Sequence, residues 1–138
     1  RPSTGPFAMQ SGTTLSIPSS VTTGEIGGSG TVSFDADSTL AVNFSSTTAA
    51  PVLAFTSGSS VSLPETGSMK VKISANDGVK FDFGTKYAIT SGGKFPADAV
   101  SSGKVVLSDD SASWAKIFVN TSGNLAVVCT PYFYIKVR

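Results

Sequence analysis

Histidine is absent from the 138 residues, and cysteine occurs once. Without imidazole there is no Ser-His-Asp triad, no ordinary general base near neutral pH and none of the commonest zinc ligand. The lone Cys129 excludes an internal disulfide framework, a thiolate cluster and a Cys-His nucleophile. It lies in the apolar run Leu125-Ala126-Val127-Val128-Cys129, where a free cysteine behaves as a small buried hydrophobe. Glutamate is nearly missing too: Glu25 and Glu65 both sit in turn-like contexts. Nothing in the spacing of the aspartates picks out the facing pair that a glycosidase needs. The sequence therefore assigns no catalytic, cofactor-binding or metal site, and the expected protein is not an enzyme.

Charge is scarce as well. Charged residues make up 14% of the chain, against roughly a quarter in an average domain. The net charge of +1 gives no electrostatic case for nucleic acid or an anionic membrane. No apolar run approaches the length of a membrane span, and no stretch of these residues reads as a signal peptide, so membrane insertion is not expected. The chain opens Arg1-Pro2 without an initiator methionine, which predicts a piece excised from a longer precursor.

What fills the space is hydroxyl and β-formers. Serine and threonine account for roughly a quarter of the residues. Apolar residues alternate with polar ones through Leu15 and Ile17, Val32 and Phe34, and Leu40, Val42 and Phe44. The pattern continues at Leu53 and Phe55, Val61 and Leu63, Val79 to Phe83, and Tyr87 and Ile89. Val105 to Leu107, Ile117 with Val119, the Leu125 run and Tyr132 to Val137 complete it. Period two is the mark of a half-buried strand. The best case is Met69-Lys70-Val71-Lys72-Ile73, with the apolar side chains on one face and both lysines on the other. Turn clusters such as Gly27-Gly28-Ser29-Gly30 and Asn76-Asp77-Gly78 separate the runs at intervals of about ten residues. The predicted fold is all-β, either a short β-solenoid or a two-sheet β-sandwich or jelly-roll, without substantial helix. Ala97 to Ser101 allows a single helical turn. Residues 12–138 read as one all-β domain. Residues 1–11 read as an extended N-terminal arm whose apolar anchors are Phe7 and Met9.

Ser62-Leu63-Pro64-Glu65-Thr66-Gly67 contains the LPETG peptide that sortases cut. Such a signal also needs an apolar span and a basic tail just downstream. Here alternating strand follows instead, and Pro64 to Gly67 supplies the residues of an ordinary turn. It reads as a turn.

Two acidic clusters, Asp35-Ala36-Asp37 and Asp109-Asp110, begin like calcium loops but do not continue as one, and aspartate is also a good turn residue. Asn43-Phe44-Ser45 and Asn120-Thr121-Ser122 fit the glycosylation pattern, which chance supplies readily in so hydroxyl-rich a chain. Trp114, Tyr132 and Tyr134 are the candidates for stacking on a sugar ring, although packing under a loop suits Trp114 better. Tyr132 and Tyr134 share one face of the last strand and also suit a subunit contact.

The later part of the chain resembles bacterial autotransporter-associated β-strand-repeat proteins. Tyr87, Ile89, Thr90 and Gly92 match one step of that pattern. Gly123, Asn124, Leu125, Val127 and Val128 match another, and Gly28, Gly30, Thr31, Ser38, Thr39, Leu40, Val42 and Phe44 a third. The resemblance spans about residues 27–130. It implies a secreted or surface-displayed, solenoid-like structural protein. The chain departs from the family in being much shorter, with few near-identical repeats and no outer-membrane barrel.

The expectation is a structural protein outside the cell or on its surface. Its partners are further copies of itself, joined through strand edges, with Phe7, Met9, Tyr132 and Tyr134 at the contact. The N-terminal arm would add as a strand to the next copy and build a polymer. A carbohydrate-binding module with a polysaccharide partner, or a viral coat or decoration protein, is the alternative.

Overall fold

The computed structural model describes residues 7–17, 21–22, 31–46, 50–56, 60–79 and 84–130. The chain is all-β, and no helix occurs among the described residues. The first strands are β1 (Phe7–Met9), β2 (Thr14–Ile17) and β3 (Val21–Thr22). They are followed by β4 (Thr31–Phe34), β5 (Thr39–Phe44) and β6 (Leu53–Ala54), then β7 (Ser60–Ser62) and β8 (Met69–Ala75). After these come β9 (Lys86–Ala88), β10 (Thr90–Ser91), β11 (Val105–Leu107), β12 (Ala115–Val119) and β13 (Leu125–Cys129).

Three of the four sheets are parallel, in the orders β1-β4-β7, β2-β5-β8-β11 and β3-β6-β10. The chain visits these sheets in the same sequence on its first two circuits, so each circuit forms a rung lying on the one before. Register makes the stacking physical. Leu15 stands opposite Leu40, Leu40 opposite Val71, and Val71 opposite Leu107. Ile17, Val42 and Ile73 form a second column. Every strand in such a stack places its apolar side chains above those of its neighbour, at about 4.8 Å between strands. The alternation that makes each segment a strand therefore also builds the core. Leu40, Val42, Phe44, Met69, Val71 and Ile73 are fully buried, each stabilising the fold by roughly 1.5–3 kcal/mol.

The outward positions of the same strands are polar and also stack. Ser74 Oγ donates to Asn43 Oδ1 at 2.9 Å, 31 residues away, and Asn43 Nδ2 donates to Asn76 Oδ1 at 2.9 Å. Lys70 and Lys72 lie on this face as expected, paired with Asp37 at 3.5 Å and Asp110 at 3.3 Å. These exposed pairs contribute little stability, but they keep both charges out of the core.

The fourth sheet is antiparallel, in the order β12-β13-β9. Its inner face adds Ala115, Ile117, Leu125 and Val127 to the core. Cys129 is also buried, and burial pushes its thiol pKa up. A polar node fastens this sheet to the parallel stack. The Ile89 N–H donates to the Leu125 carbonyl at 2.9 Å, and the Leu125 N–H donates to Thr90 Oγ1 at 2.9 Å. Asn124 Oδ1 accepts from the Gly93 N–H at 2.9 Å. Gly93 has φ 63°, and a Cβ there would meet the Ser122 carbonyl oxygen at 2.6 Å. Only glycine fits that crossing.

Residues 7–9 are not a free arm. They form β1, which pairs in parallel with β4, and Met9 is 5% exposed within the chain's own core. The Met9 side chain is thus buried within its own chain rather than against a neighbour. Residues 1–6 and the Phe7 side chain lie outside the described residues, as do residues 80–83 and the strand expected at Tyr132 to Val137. Ala97 to Ser101 forms the single helical turn that its composition allows, with the Ser102 N–H donating to the Asp98 carbonyl at 2.8 Å.

Candidate interaction surfaces

Both acidic clusters are turns with structural partners. Asp37 has φ 67°, a conformation that aspartate tolerates better than most residues. Its N–H donates to the Ser68 carbonyl at 2.8 Å. Ser38, fully buried, donates through Oγ to the Asp35 carbonyl at 2.7 Å. Asp110 accepts from Ser108 Oγ and pairs with Lys72. The Ser108 hydroxyl first, and Lys72 second, hold its carboxyl pKa below the usual range. Among the described residues no three acidic, histidine or cysteine side chains converge on a point where a metal could sit.

Trp114 does not form a stacking platform. It packs edge-on against Phe44, with ring centroids 6.2 Å apart and planes at 80°. Tyr87 meets Phe44 from another side at 5.1 Å. Both large rings belong to the core margin. Tyr132 and Tyr134 lie outside the described residues.

Two surfaces remain with exposed bonding capacity. One is an edge. β2 has β5 on one side and no described partner on the other. Its Thr14 and Ser16 are exposed, and residues 11–17 carry no charge. Edge strands are usually blunted by charge, proline or a bulge, and no charge, proline or bulge lies within Thr14–Ile17. At the far end of the same sheet the situation differs. There β12 lies against β11, and in the neighbouring sheet β13 lies against β10.

The other surface is the outer face of the antiparallel sheet. Period two places Lys116 and Phe118 on the side opposite Ile117, and Lys86 and Ala88 on the side opposite Tyr87. Cross-strand register then lines these up: Lys116 beside Val128 beside Lys86, and Phe118 beside Ala126 beside Ala88. Two shallow grooves cross this face. The larger is about 520 Å³ and runs over Lys86, Ala88, Phe118 and Ala126 to Asn120 and Thr121. The smaller, about 260 Å³, lies between Lys86, Lys116, Phe118 and Val128. The Lys86 ammonium sits over the Phe118 ring, 5.9 Å from its centroid.

Sequence reading passes over this face because the alternation of Ile117 with Val119 marks the inward pair, and Lys116 and Phe118 opposite them carry no motif. The available clue was that Phe118 shares its face with Lys116.

Comparison with known protein families, characterised proteins and solved structures finds no match to this chain. The likeness to autotransporter-associated repeats is carried by the quoted motifs alone.

Proposed function

We propose that the protein is a non-enzymatic structural element of a bacterial surface or extracellular appendage, a short β-solenoid that associates with copies of itself through strand edges. The observation carrying this reading is the asymmetry of the stack. At its far end β11 lies against β12 and β10 against β13, whereas β2 at the first rung presents an uncharged edge with no described partner. An unpaired edge of this kind recruits another strand. Parallel rungs with stacked apolar columns are what a β-solenoid requires. The hydroxyl-rich, charge-poor composition and the repeat-like motifs support a setting outside the cell.

Met9 fills the chain's own core, so the donor is the β2 edge rather than an N-terminal arm. Pairing of that edge with its own copy gives a closed head-to-head pair, with two β2 strands antiparallel across a two-fold axis, rather than an open filament. An edge without charge meets its own copy without like-charge repulsion.

Light scattering across a concentration series tests this. The intact chain should double in mass as concentration rises. Ser16→Lys puts like charges across the two-fold from an exposed position and should keep the chain monomeric without altering its melt. A chain that stays monomeric at high concentration contradicts the reading, as does an assembly indifferent to Ser16→Lys.

A further inference from the structure

The outer face of the β12-β13-β9 sheet is independent of that edge and has its own chemistry. We infer that it is a binding site for an acidic polysaccharide, with Lys86 and Lys116 taking the anionic groups and Phe118 the apolar face of a sugar ring.

Charge is the first argument. Lys86 and Lys116 flank Val128 on neighbouring strands, so their backbones stand two strand spacings apart, roughly 10 Å. Among the described residues no acidic side chain lines either groove. The other lysine pair, Lys70 and Lys72, is engaged by Asp37 and Asp110, whereas Lys86 and Lys116 have no carboxylate partner among the described residues. Two exposed lysines on one face, with no carboxylate described beside them, form a local positive field that favours a polyanion.

Shape is the second argument. Phe118 is half-buried and Ala88 exposed, and they flank the small Ala126, itself buried at the floor of the trough. An aromatic ring at the wall of such a trough offers a flat apolar surface to the C–H face of a pyranose. Asn120 and Thr121 at the groove's end offer an amide and a hydroxyl to sugar hydroxyls. The contact of Lys86 with the Phe118 ring holds the cation beside the stacking surface, so carboxylate and ring would be recognised together.

The class of polymer follows from which atoms are offered. The groove runs over a sheet face, where side chains project, and the main chain of the central strand β13 is paired on both sides. Strand addition, the usual means of holding an extended peptide, works at a strand edge and makes no use of a sheet face. A ligand bound by stacking, hydroxyl contacts and spaced negative charge is a glycan.

Polygalacturonate is a suitable probe, with a neutral galactan and polyglutamate as comparisons, measured by affinity electrophoresis at low and high salt. The intact chain should be retarded by polygalacturonate, more strongly at low salt, and pass freely through galactan. Lys86→Ala/Lys116→Ala should weaken retention by at least about tenfold, a loss of some 1.4 kcal/mol. Lys70→Ala/Lys72→Ala, which removes the same charge from another sheet, should change it little. Phe118→Leu keeps apolar bulk but removes the ring, and should also weaken retention while leaving the denaturant midpoint nearly unchanged. Absence of retention by polygalacturonate overturns the proposal. So does an equal effect of the two lysine pairs, which would mean bulk charge only. Polyglutamate held as tightly as polygalacturonate would replace the glycan by an acidic peptide.

Discussion

Lys104 reaches from the turn before β11 to the turn after β7, its ammonium donating to the Glu65 carbonyl at 2.6 Å and to the Pro64 carbonyl at 2.7 Å. The LPETG stretch is thus a clamped turn between two strands. Gly67 within it has φ 77°, and a Cβ there would meet the Ala36 Cβ at 2.9 Å. Threading this peptide into an enzyme cleft would require β7 and β8 to part.

Sortase should accordingly leave the folded chain uncut and cleave it only when denatured or nicked. Transfer to a glycine nucleophile at Thr66 under native conditions would contradict the clamp. Lys104→Met keeps the stem but removes both donors, and should cost about 1–2 kcal/mol in a denaturant melt, within the range for hydrogen bonds to a charged group.

Ile73 occupies the centre of the β5-β8 stack, opposite Val42, with no exposed surface. Its N–H donates to Ser111 Oγ at 3.0 Å, so the backbone there is held from two directions. Collapse around a deleted side chain is therefore limited, and Ile73→Ala should cost about 2–4 kcal/mol. A change below half a kcal/mol, on the order of ordinary surface substitutions, would mean that the column carries little of the fold.

Thr90 is fully buried, and its hydroxyl takes the Leu125 N–H at 2.9 Å. Thr90→Val keeps the shape and strands that donor in the interior. The expected cost is about 1–3 kcal/mol, the penalty for a buried group left unpaired. Thr90→Ser should recover most of it. If valine is as stable as threonine, the node between β10 and β13 is not what joins the antiparallel sheet to the stack.

The sequence makes single strands far more legible than their partners. Met69 to Ile73 announces itself because five residues of strict alternation lead to one answer: any one-residue slip would bury Lys70 and Lys72. The parallel stacking was not legible because the rungs differ in length. Ser11 bonds Ala36 25 residues on, while Ser74 lies 31 residues from its partner Asn43. Without a constant interval no repeat stands out. The strands β3 and β10 have two residues each, too few to show a period. Met9 looked like a free anchor because its partner, β4, lies 25 residues away in sequence, at Phe34. The clamp on LPETG was invisible for a similar reason, as Lys104 stands 39 residues beyond Glu65.

The central claim is that the free side of β2 receives a strand from another copy. Amide hydrogen exchange measured at low and high protein concentration tests it most directly, because β5, paired on both sides by β2 and β8, serves as an internal standard. Exchange in Thr14–Ile17 should slow as concentration rises, while exchange in Thr39–Phe44 stays constant. Exchange in β2 that is the same at both concentrations, in material shown by light scattering to be assembled, would place the contact elsewhere and contradict the account.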